Sequence, residues 1–529
     1  MQKAFGKFRS FFWPIHRFEL KKVLPMFFLF FCFYFNYMIL KDIEEPLVVT
    51  APGSGAETVA FIKLWVILPL AILFMFIYSK LLNKFSKKRV FYTVITFFIS
   101  FYFIFAFVLY PLKDVLHPHA FADKLTNILP VGFAGFISII RNWSFALFYA
   151  FGELWGSVGI SLLFWGFSND ITKVQDSKRF YALFGIGSSL AMMVAGPTII
   201  HFANIRNILP SHIDAWGITL KCLMSIVALS GLIIMGLYYW MNRYVLSDEK
   251  FKPNEVKDTK NKKMSLSLKE AFKIVFKSRY LMFLAALVMG YSVSMTLGDI
   301  VWKSQLKLRF SDPNDYTAFR GFFTSMSSVL SLITLFIGGS VIRKWGWKKA
   351  AITTPIVLLI SGIGAFGFIV FQDSLKSTIS FLGTTPLVLA IVFASIQNGF
   401  GKCCKLSFYE PTKEMAYIPL DDVSKTKGKA AIDVLVCKFS KAGGAFLLQA
   451  LIIIFGSIAA SVPYIALILF GVIAIWIISA SKLNKLILNK TTSQEKVTSK
   501  SKAISLKAAS KKIKINTRSR KRRAKILSK

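Results

Sequence analysis

Acidic residues are scarce in this chain of 529 residues, which has 26 Asp and Glu against 66 Lys and Arg and a formal net charge of +40. Histidine and cysteine are also rare, with five of each. The cysteines lack metal-ligand spacing and mostly lie in or beside apolar stretches, so we interpret them as packing residues. The histidines form no cluster, and no Gly-rich loop leads into a Lys-Ser/Thr pair. These absences argue against an enzyme, and we expect no metal and no cofactor.

Apolar residues, in contrast, dominate the composition: 55% of the chain is hydrophobic, with 53 Phe. Such a composition is typical of membrane proteins, in which a helix needs about 20 apolar residues to cross the bilayer. The sequence predicts an all-α polytopic membrane protein with about 12 transmembrane helices, at residues 24–41, 60–79, 91–112, 144–167, 180–202, 217–241, 280–301, 319–341, 351–371, 385–402, 430–456 and 460–481. The first apolar run has full span length and lacks a small-residue cleavage site, so we do not interpret it as a signal peptide.

The basic residues concentrate in segments that an even number of spans places on one side of the membrane. This distribution follows the positive-inside rule and predicts that both termini are cytoplasmic. We therefore divide the chain into a basic N-terminus (1–23), a six-helix half (24–241), a cytoplasmic linker (242–279), a second six-helix half (280–481) and a tail (482–529).

Two loops resemble each other and suggest an internal repeat. Residues 79–89 read SKLLNKFSKKR and residues 339–349 read GSVIRKWGWKK, and each would join the second and third spans of its half. Two parallel six-helix halves are the layout of the major facilitator superfamily, in which the substrate binds between the halves near the membrane midplane.

The tail is rich in Lys and Ser and poor in aromatic residues, and close to its end it carries the basic run RSRKRR at 518–523. This composition predicts a disordered, solvated tail that contacts anionic lipid. An alternative of another class is a membrane-anchored scaffold whose tail binds nucleic acid or lipid. No aromatic platform accompanies the charge, so we expect no stable nucleic-acid partner.

Several charged residues fall inside predicted spans, among them Glu153, Asp299, Lys438 and Lys441. A charge in the bilayer core is costly and usually faces a polar cavity, and cations together with carboxylates suit a carrier of a charged solute. Lys438 and Lys441 are three residues apart and share a helix face, where an ammonium suits phosphate. The alternatives are a lysine that reaches the interface and carboxylates held in structural ion pairs.

Several segments resemble the nucleotide transporter family of plastids and of obligate intracellular bacteria such as chlamydiae and rickettsiae. The matching segments are LVVTAPGSGAE (47–57), FIKLW (61–65), GELWGS (152–157), LFWG (163–166), VWKS (301–304), PTKEMAYIPL (411–420) and KGKAAID (427–433). The resemblance implies twelve spans and transport of nucleoside phosphates. It also implies functional charges, for which Glu153, Asp299 (in place of Glu) and Lys441 are the matching residues.

One position departs from that family pattern. Where the family reads Thr-Lys-Asp before Leu-Val-Val, this chain reads Ile43-Glu44-Glu45. Glu44 would repel a triphosphate unless it were protonated or paired, for instance with Lys41 or Lys63. Position alone makes Glu44 and Glu45 loop residues as often as gate residues. An added titratable acid fits proton-coupled net import, and the alternatives are strict ATP/ADP antiport and an NAD carrier.

The predicted site thus has two sets of residues. For substrate phosphate they are Lys441, Lys438, Lys63 and Lys303, and for cavity carboxylates or proton coupling they are Glu153, Asp299, Glu44 and Glu45. The expected partners are a nucleotide (ATP, ADP, another nucleoside triphosphate or NAD), protons and the lipid bilayer. Frequent Phe, Ile, Lys and Asn suggest an AT-rich genome, so we expect a multi-pass protein in the inner membrane of an intracellular bacterium that imports host nucleotides.

Overall fold

The computed structural model describes residues 15–172, 174–247, 273, 275–420, 428–429 and 431–490. Within these residues the fold is helical, and eleven helices are long and apolar enough to cross a membrane. The long helices are α1 (Arg17–Val49), α2 (Ala56–Lys84), α3 (Lys87–Leu109), α4 (Trp143–Ile171), α5 (Val174–Ala203), α6 (Ala215–Val245), α7 (Arg279–Arg309), α8 (Pro313–Val370), α9 (Pro386–Cys404), α10 (Cys437–Phe455) and α11 (Ile458–Lys490). The predicted fold class, an all-α polytopic membrane protein, is confirmed.

Helix α8 contains two of the predicted spans. It is broken at Gly346, whose backbone has φ 76° and ψ 170°, a conformation that glycine adopts readily because it has no Cβ. At the matching position of the other repeat loop, Ser86 interrupts the helices and its side chain accepts a hydrogen bond from the Arg89 amide as the cap of α3. The two similar loops are therefore both turns between long helices.

Helix α1 differs from the prediction at its end. The predicted span stopped at Lys41, but the helix continues to Val49, so Glu44 and Glu45 are helical and almost fully buried. Of the two alternatives that their position left open, a solvated loop and a gate, the solvated loop does not fit these two buried helical residues. The hydropathy pattern ended the span at the charges, whereas ion pairs with other helices allow those charges to be buried.

The last helix also extends beyond its predicted limit, to Lys490 instead of residue 481. The predicted tail from 491 onward and residues 248–272 of the predicted linker lie outside the described residues.

We call α1–α6 the first helix group and α7–α11 the second helix group. The groups approach closely where α5 meets α8: a Cβ on Gly196 would lie 2.6 Å from the Gly321 carbonyl, and a Cβ on Gly321 would lie 2.8 Å from the Gly196 carbonyl. Side chains longer than hydrogen would separate the two helices here. We call the membrane face at which α1 begins the N-terminal face and the other one the opposite face.

Polar contacts join the two groups near the opposite face. Arg206, which follows α5, forms ion pairs with Asp312 (3.0 Å) and Asp315 (2.7 Å) at the start of α8. On α6 the Thr219 hydroxyl donates to Asn314 (2.8 Å). These contacts hold the ends of the helices together on that face.

Candidate functional site

Ten charged side chains meet where the two helix groups face each other. Five are cationic and five are anionic: Lys41, Lys63, Lys303, Arg320 and Lys402, and Asp42, Glu44, Glu45, Glu153 and Asp299. The last turns of α1 supply four of them, and α2, α4, α7, α8 and α9 supply the others. A buried charge without a partner costs several kcal/mol. The cluster can be buried because it contains as many cations as carboxylates.

The most buried part of the cluster is a set of four residues that we call the buried lock: Asp42, Glu45, Lys303 and Arg320. Lys303 lies 2.8 Å from Glu45, and Arg320 lies 3.0 Å from the same carboxylate. Arg320 also donates to Asp42 from Nη2 (2.7 Å) and Nε (3.1 Å), and the Thr324 hydroxyl donates to Asp42 as well. None of the four side chains is more than 3% exposed. The lock ties α1 to both α7 and α8.

A second set is partly exposed, and we call it the cavity layer: Lys41, Lys63, Glu153 and Asp299. Lys41 of α1 forms an ion pair with Glu153 of α4, and Lys63 of α2 lies 3.8 Å from Asp299 of α7. Their side chains are 19–32% exposed, in contrast to the lock. Asp299 connects the two sets because it also pairs with Lys303 (2.7 Å). Their partial exposure leaves these four side chains accessible to a solute in the space between the groups, whereas the lock is not.

The two cavity-layer residues on α2 and α4 adjoin irregular helix turns. Lys63 begins the π-helical segment Lys63–Ile67, and Glu153 precedes the π-helical segment Gly156–Phe164. Such wide turns are rare and frequently occur at functional sites.

Glu44 occupies a special position in the cluster. One of its oxygens lies 2.6 Å from Lys41, whereas the other is buried without a hydrogen-bond partner. That second oxygen packs directly against Gly152, where any Cβ would collide with it. The buried hydroxyls of Tyr102 and Tyr149 also lack hydrogen-bond partners. The structure thus pairs Glu44 with one of the two lysines, Lys41, that sequence reasoning named as its partner.

Lys438 and Lys441 of α10 are exposed. Both lie on the side of α10 that carries the buried residues Ala445 and Leu448, whereas Phe439 lies on the other side and is 49% exposed. The Lys441 ammonium is near enough to that of Lys405 for the two to repel. These lysines therefore face the space between the helices. The described residues show no ion pair between them and the charge cluster.

Sequence reasoning did not assign Arg320, Asp42 or Lys402 to the site. Arg320 is the second residue of the predicted span 319–341, a position typical of a charge at the membrane interface. Asp42 directly follows the predicted span 24–41. Only the packing of α8 on α1 makes Arg320 and Asp42 partners. Lys402 is exposed, yet its ammonium lies 5.5 Å from the ring centre of Phe323 and 6.0 Å from that of Trp302, beside the lock.

The arrangement provides charges and no nucleophile paired with a base. Among the described residues, no group of three or more His, Cys, Asp or Glu could hold a metal ion. Paired cations and carboxylates that link two helix groups can bind an anionic solute by exchanging one partner for another.

Sequence comparisons with known proteins agree on one family. The model of the TLC ATP/ADP transporter family matches residues 1–487. The chain is 50% identical over 496 residues to ADP,ATP carrier protein 1 of Chlamydia trachomatis, covering 93% of this chain and 94% of the relative. It is 45% identical over 464 residues to the chloroplastic ADP,ATP carrier protein 2 of Arabidopsis thaliana, covering 88% and 74%. Among solved structures, the xylose transporter XylE from E. coli aligns with a TM-score of 0.48 and 11% identity, covering 88% of this chain and 98% of that one.

Proposed function

Because this chain belongs to the TLC ATP/ADP transporter family, we propose that it moves nucleoside di- and triphosphates across a membrane by alternating access. The resemblance drawn from the sequence motifs is confirmed by the family match. So is the prediction that the chain is a transporter and not an enzyme, since the relatives carry the name of carrier proteins.

The observation that carries this proposal is the buried lock. It joins α1 of one helix group to α7 and α8 of the other near the opposite face, while Lys402, Lys438 and Lys441 are exposed. A carrier must close one side of its site while the other is open, and breakable ion pairs between two groups suit such a gate.

For the coupling mode, we propose net import with a proton, for which Glu44 is the strongest candidate. Glu44 adds a carboxylate where the family pattern has a lysine, and one of its oxygens is free of hydrogen bonds. Glu45, Glu153 and Asp299 are paired with cations, as Glu44 is with Lys41, so what distinguishes Glu44 is its second oxygen, which packs against Gly152 without a hydrogen-bond partner. Protonation of Glu44 would leave Lys41 to interact with Glu153 or with substrate phosphate.

Strict ATP/ADP exchange is the second candidate, and one observation favours it. Lys41 already neutralises Glu44, at 2.6 Å, so Glu44 need not be protonated for a triphosphate to approach. NAD is a further candidate substrate. For the location we propose a bacterial inner membrane with both termini in the cytoplasm, supported by the chlamydial relative and by the basic loops.

The test is uptake of labelled ATP, GTP, UTP, CTP and NAD by intact cells that express the chain, with and without a protonophore, followed by efflux of preloaded label on adding unlabelled ADP. We expect protonophore-sensitive uptake without exchange, and loss of that sensitivity in Glu44→Gln. ADP-stimulated efflux with no protonophore effect would replace net import by exchange. No uptake of any nucleotide would overturn the function itself. Truncation after Thr491 serves as a control, since a carrier keeps its uptake and a tail-dependent scaffold does not.

A further inference from the structure

One face of α1 forms an aromatic and cationic stripe. Tyr34, Tyr37 and Lys41 follow each other at helical spacing, and all three side chains are partly exposed while most of their neighbours on α1 are buried. The ring centres of Tyr34 and Tyr37 are 5.8 Å apart. Because α1 is otherwise enclosed by other helices, this stripe faces the space between the two helix groups.

Helix α4 forms the wall beside that stripe. The Tyr37 ring packs against Gly156, where a Cβ would lie only 2.7 Å from Cε2 of the ring. Glu153, Ser157 and Ser161 share one face of α4 and are partly or fully exposed. The first helix group therefore offers aromatic surface, two hydroxyls and one carboxylate, which is the chemistry that holds a planar base and a ribose.

The second helix group offers positive charge instead. Lys402, near the end of α9, and Lys405, just after it, are three residues apart, and Lys405 is within electrostatic range of Lys441 of α10. A carboxylate that acts on Lys405, that of Glu410, already pairs with Lys413 at 2.7 Å. Ammonium groups that repel one another without enough carboxylates form a site for a polyanion, because an anion between them removes the repulsion.

The aromatic surface of α1 and α4 forms one wall of the space between the helix groups, and the lysines of α9 and α10 form the other. The two walls lie at a similar depth between the two membrane faces. Tyr37 precedes Lys41 by about one turn toward the N-terminal face. On the other side, a Cβ on Gly444 would lie 3.4 Å from Cβ of Thr296, about one turn before Asp299, and Lys441 lies a further turn toward the same face. Both walls thus lie on the N-terminal side of the cavity layer, where one extended solute can touch both.

We propose that the nucleotide lies across the interface between the helix groups, with its base stacked on Tyr37 and its phosphates held by Lys402, Lys405 and Lys441. This orientation rests on the proposed nucleotide transport. In this orientation, residues of α1 and α4 determine which base is preferred, and residues of α9 and α10 determine how many phosphates the substrate carries. Gln397 and Asn398 have no part in it, because both are buried and bonded to helix carbonyls.

The experiment is competition against labelled ATP uptake by unlabelled ATP, CTP, AMP and inorganic tripolyphosphate, with uptake normalised to the amount of protein in the membrane. For Lys405→Gln and Lys402→Gln we expect at least tenfold weaker inhibition by ATP and tripolyphosphate and a smaller ratio between ATP and AMP. Lys405→Arg keeps the charge and should retain the ratio. The matched control is Lys80→Gln, because Lys80 is exposed over Phe76 on α2.

For Tyr37→Leu we expect at least fivefold weaker inhibition by ATP and a smaller difference between ATP and CTP, with unchanged inhibition by tripolyphosphate. Tyr37→Phe retains the aromatic face and should retain the difference. If Tyr37→Leu weakens ATP and tripolyphosphate equally, or the lysine variants keep the wild-type ratio of ATP to AMP, the orientation is wrong while the function stands. If the wild-type chain takes up no nucleotide, the function is wrong, and binding of tripolyphosphate to the purified protein and its lysine variants then tests the anion site alone.

Discussion

Arg320 and Asp42 lie 278 residues apart in the chain, yet the guanidinium of Arg320 donates two hydrogen bonds to one carboxylate oxygen of Asp42. Each is at most 3% exposed. Two buried charges on opposite helix groups must separate and become solvated when that face opens. The opposite face can therefore open only if water or a competing ion reaches these two side chains.

Removal of Arg320 should be strongly destabilising, because it leaves Asp42 buried without its cation and Glu45 with Lys303 alone. For Arg320→Met we expect a loss of about 3–5 kcal/mol in the free energy of unfolding. Asp42→Asn in the same chain should recover part of that loss. The measurement is a double-mutant cycle by denaturant unfolding of the purified protein in detergent. Strictly additive effects of the two substitutions would show that the pair is not coupled.

Gly152→Ala should abolish transport, because the new methyl group would occupy the place of the free Glu44 oxygen. Removing the acid in Gly152→Ala/Glu44→Ala relieves that clash and should restore protein stability even if transport stays low. Gly166→Ala on the same helix is the matched control, since a Cβ there meets nothing within 4 Å. The measurement is uptake together with the thermal midpoint in detergent. Equal results for the two glycine variants would contradict the close packing of Glu44 on Gly152.

Lys41→Gln should lower kcat/KM for ATP at least tenfold, because two carboxylates, Glu44 and Glu153, lose the cation that they share. Lys41→Gln/Glu44→Gln removes one carboxylate as well and should regain part of the activity. Lys87→Gln breaks an exposed ion pair with Asp170 and serves as the control, for which we expect little change. If the double variant is no better than Lys41→Gln in uptake assays, the charge balance of this triad is not what limits transport.

The protein should lose stability below neutral pH at one site between α3 and α4. Burial, and secondarily the nearby His119, lower the pKa of His117 to about 4, and its Nε2 lies 2.7 Å from the Ser144 hydroxyl. As the pH falls, the unfolded chain binds the proton near 6.5 while the folded protein resists until about 4, so stability is complete above 6.5 and declines between these values.

The thermal midpoint in detergent should therefore drop between pH 7.5 and 5 by more in the wild-type chain than in His117→Gln. His201→Gln is a suitable control, because His201 is exposed. Identical pH profiles for the wild type and His117→Gln would show that another group is responsible.

Much of the architecture followed from local patterns. Long apolar runs predicted the helices, since a bilayer requires about 20 apolar residues in a row, and the repeated basic loops marked the turns at Ser86 and Gly346. Motif resemblance identified the family and marked Glu153 and Asp299. The limits of α1 were not predictable in this way, because hydropathy treats Lys41 to Glu45 as the end of a span.

The sequence by itself thus determined that the chain is a helical membrane carrier of the nucleotide transporter family, because composition, span length and motifs are properties of neighbouring residues. Only the tertiary structure decided which charges are partners. Arg320 with Asp42, Lys303 with Glu45, and Lys41 with Glu153 come from helices far apart in the chain. The energy of a buried charge depends on what lies a few ångströms away across a helix interface, and no local pattern records that distance.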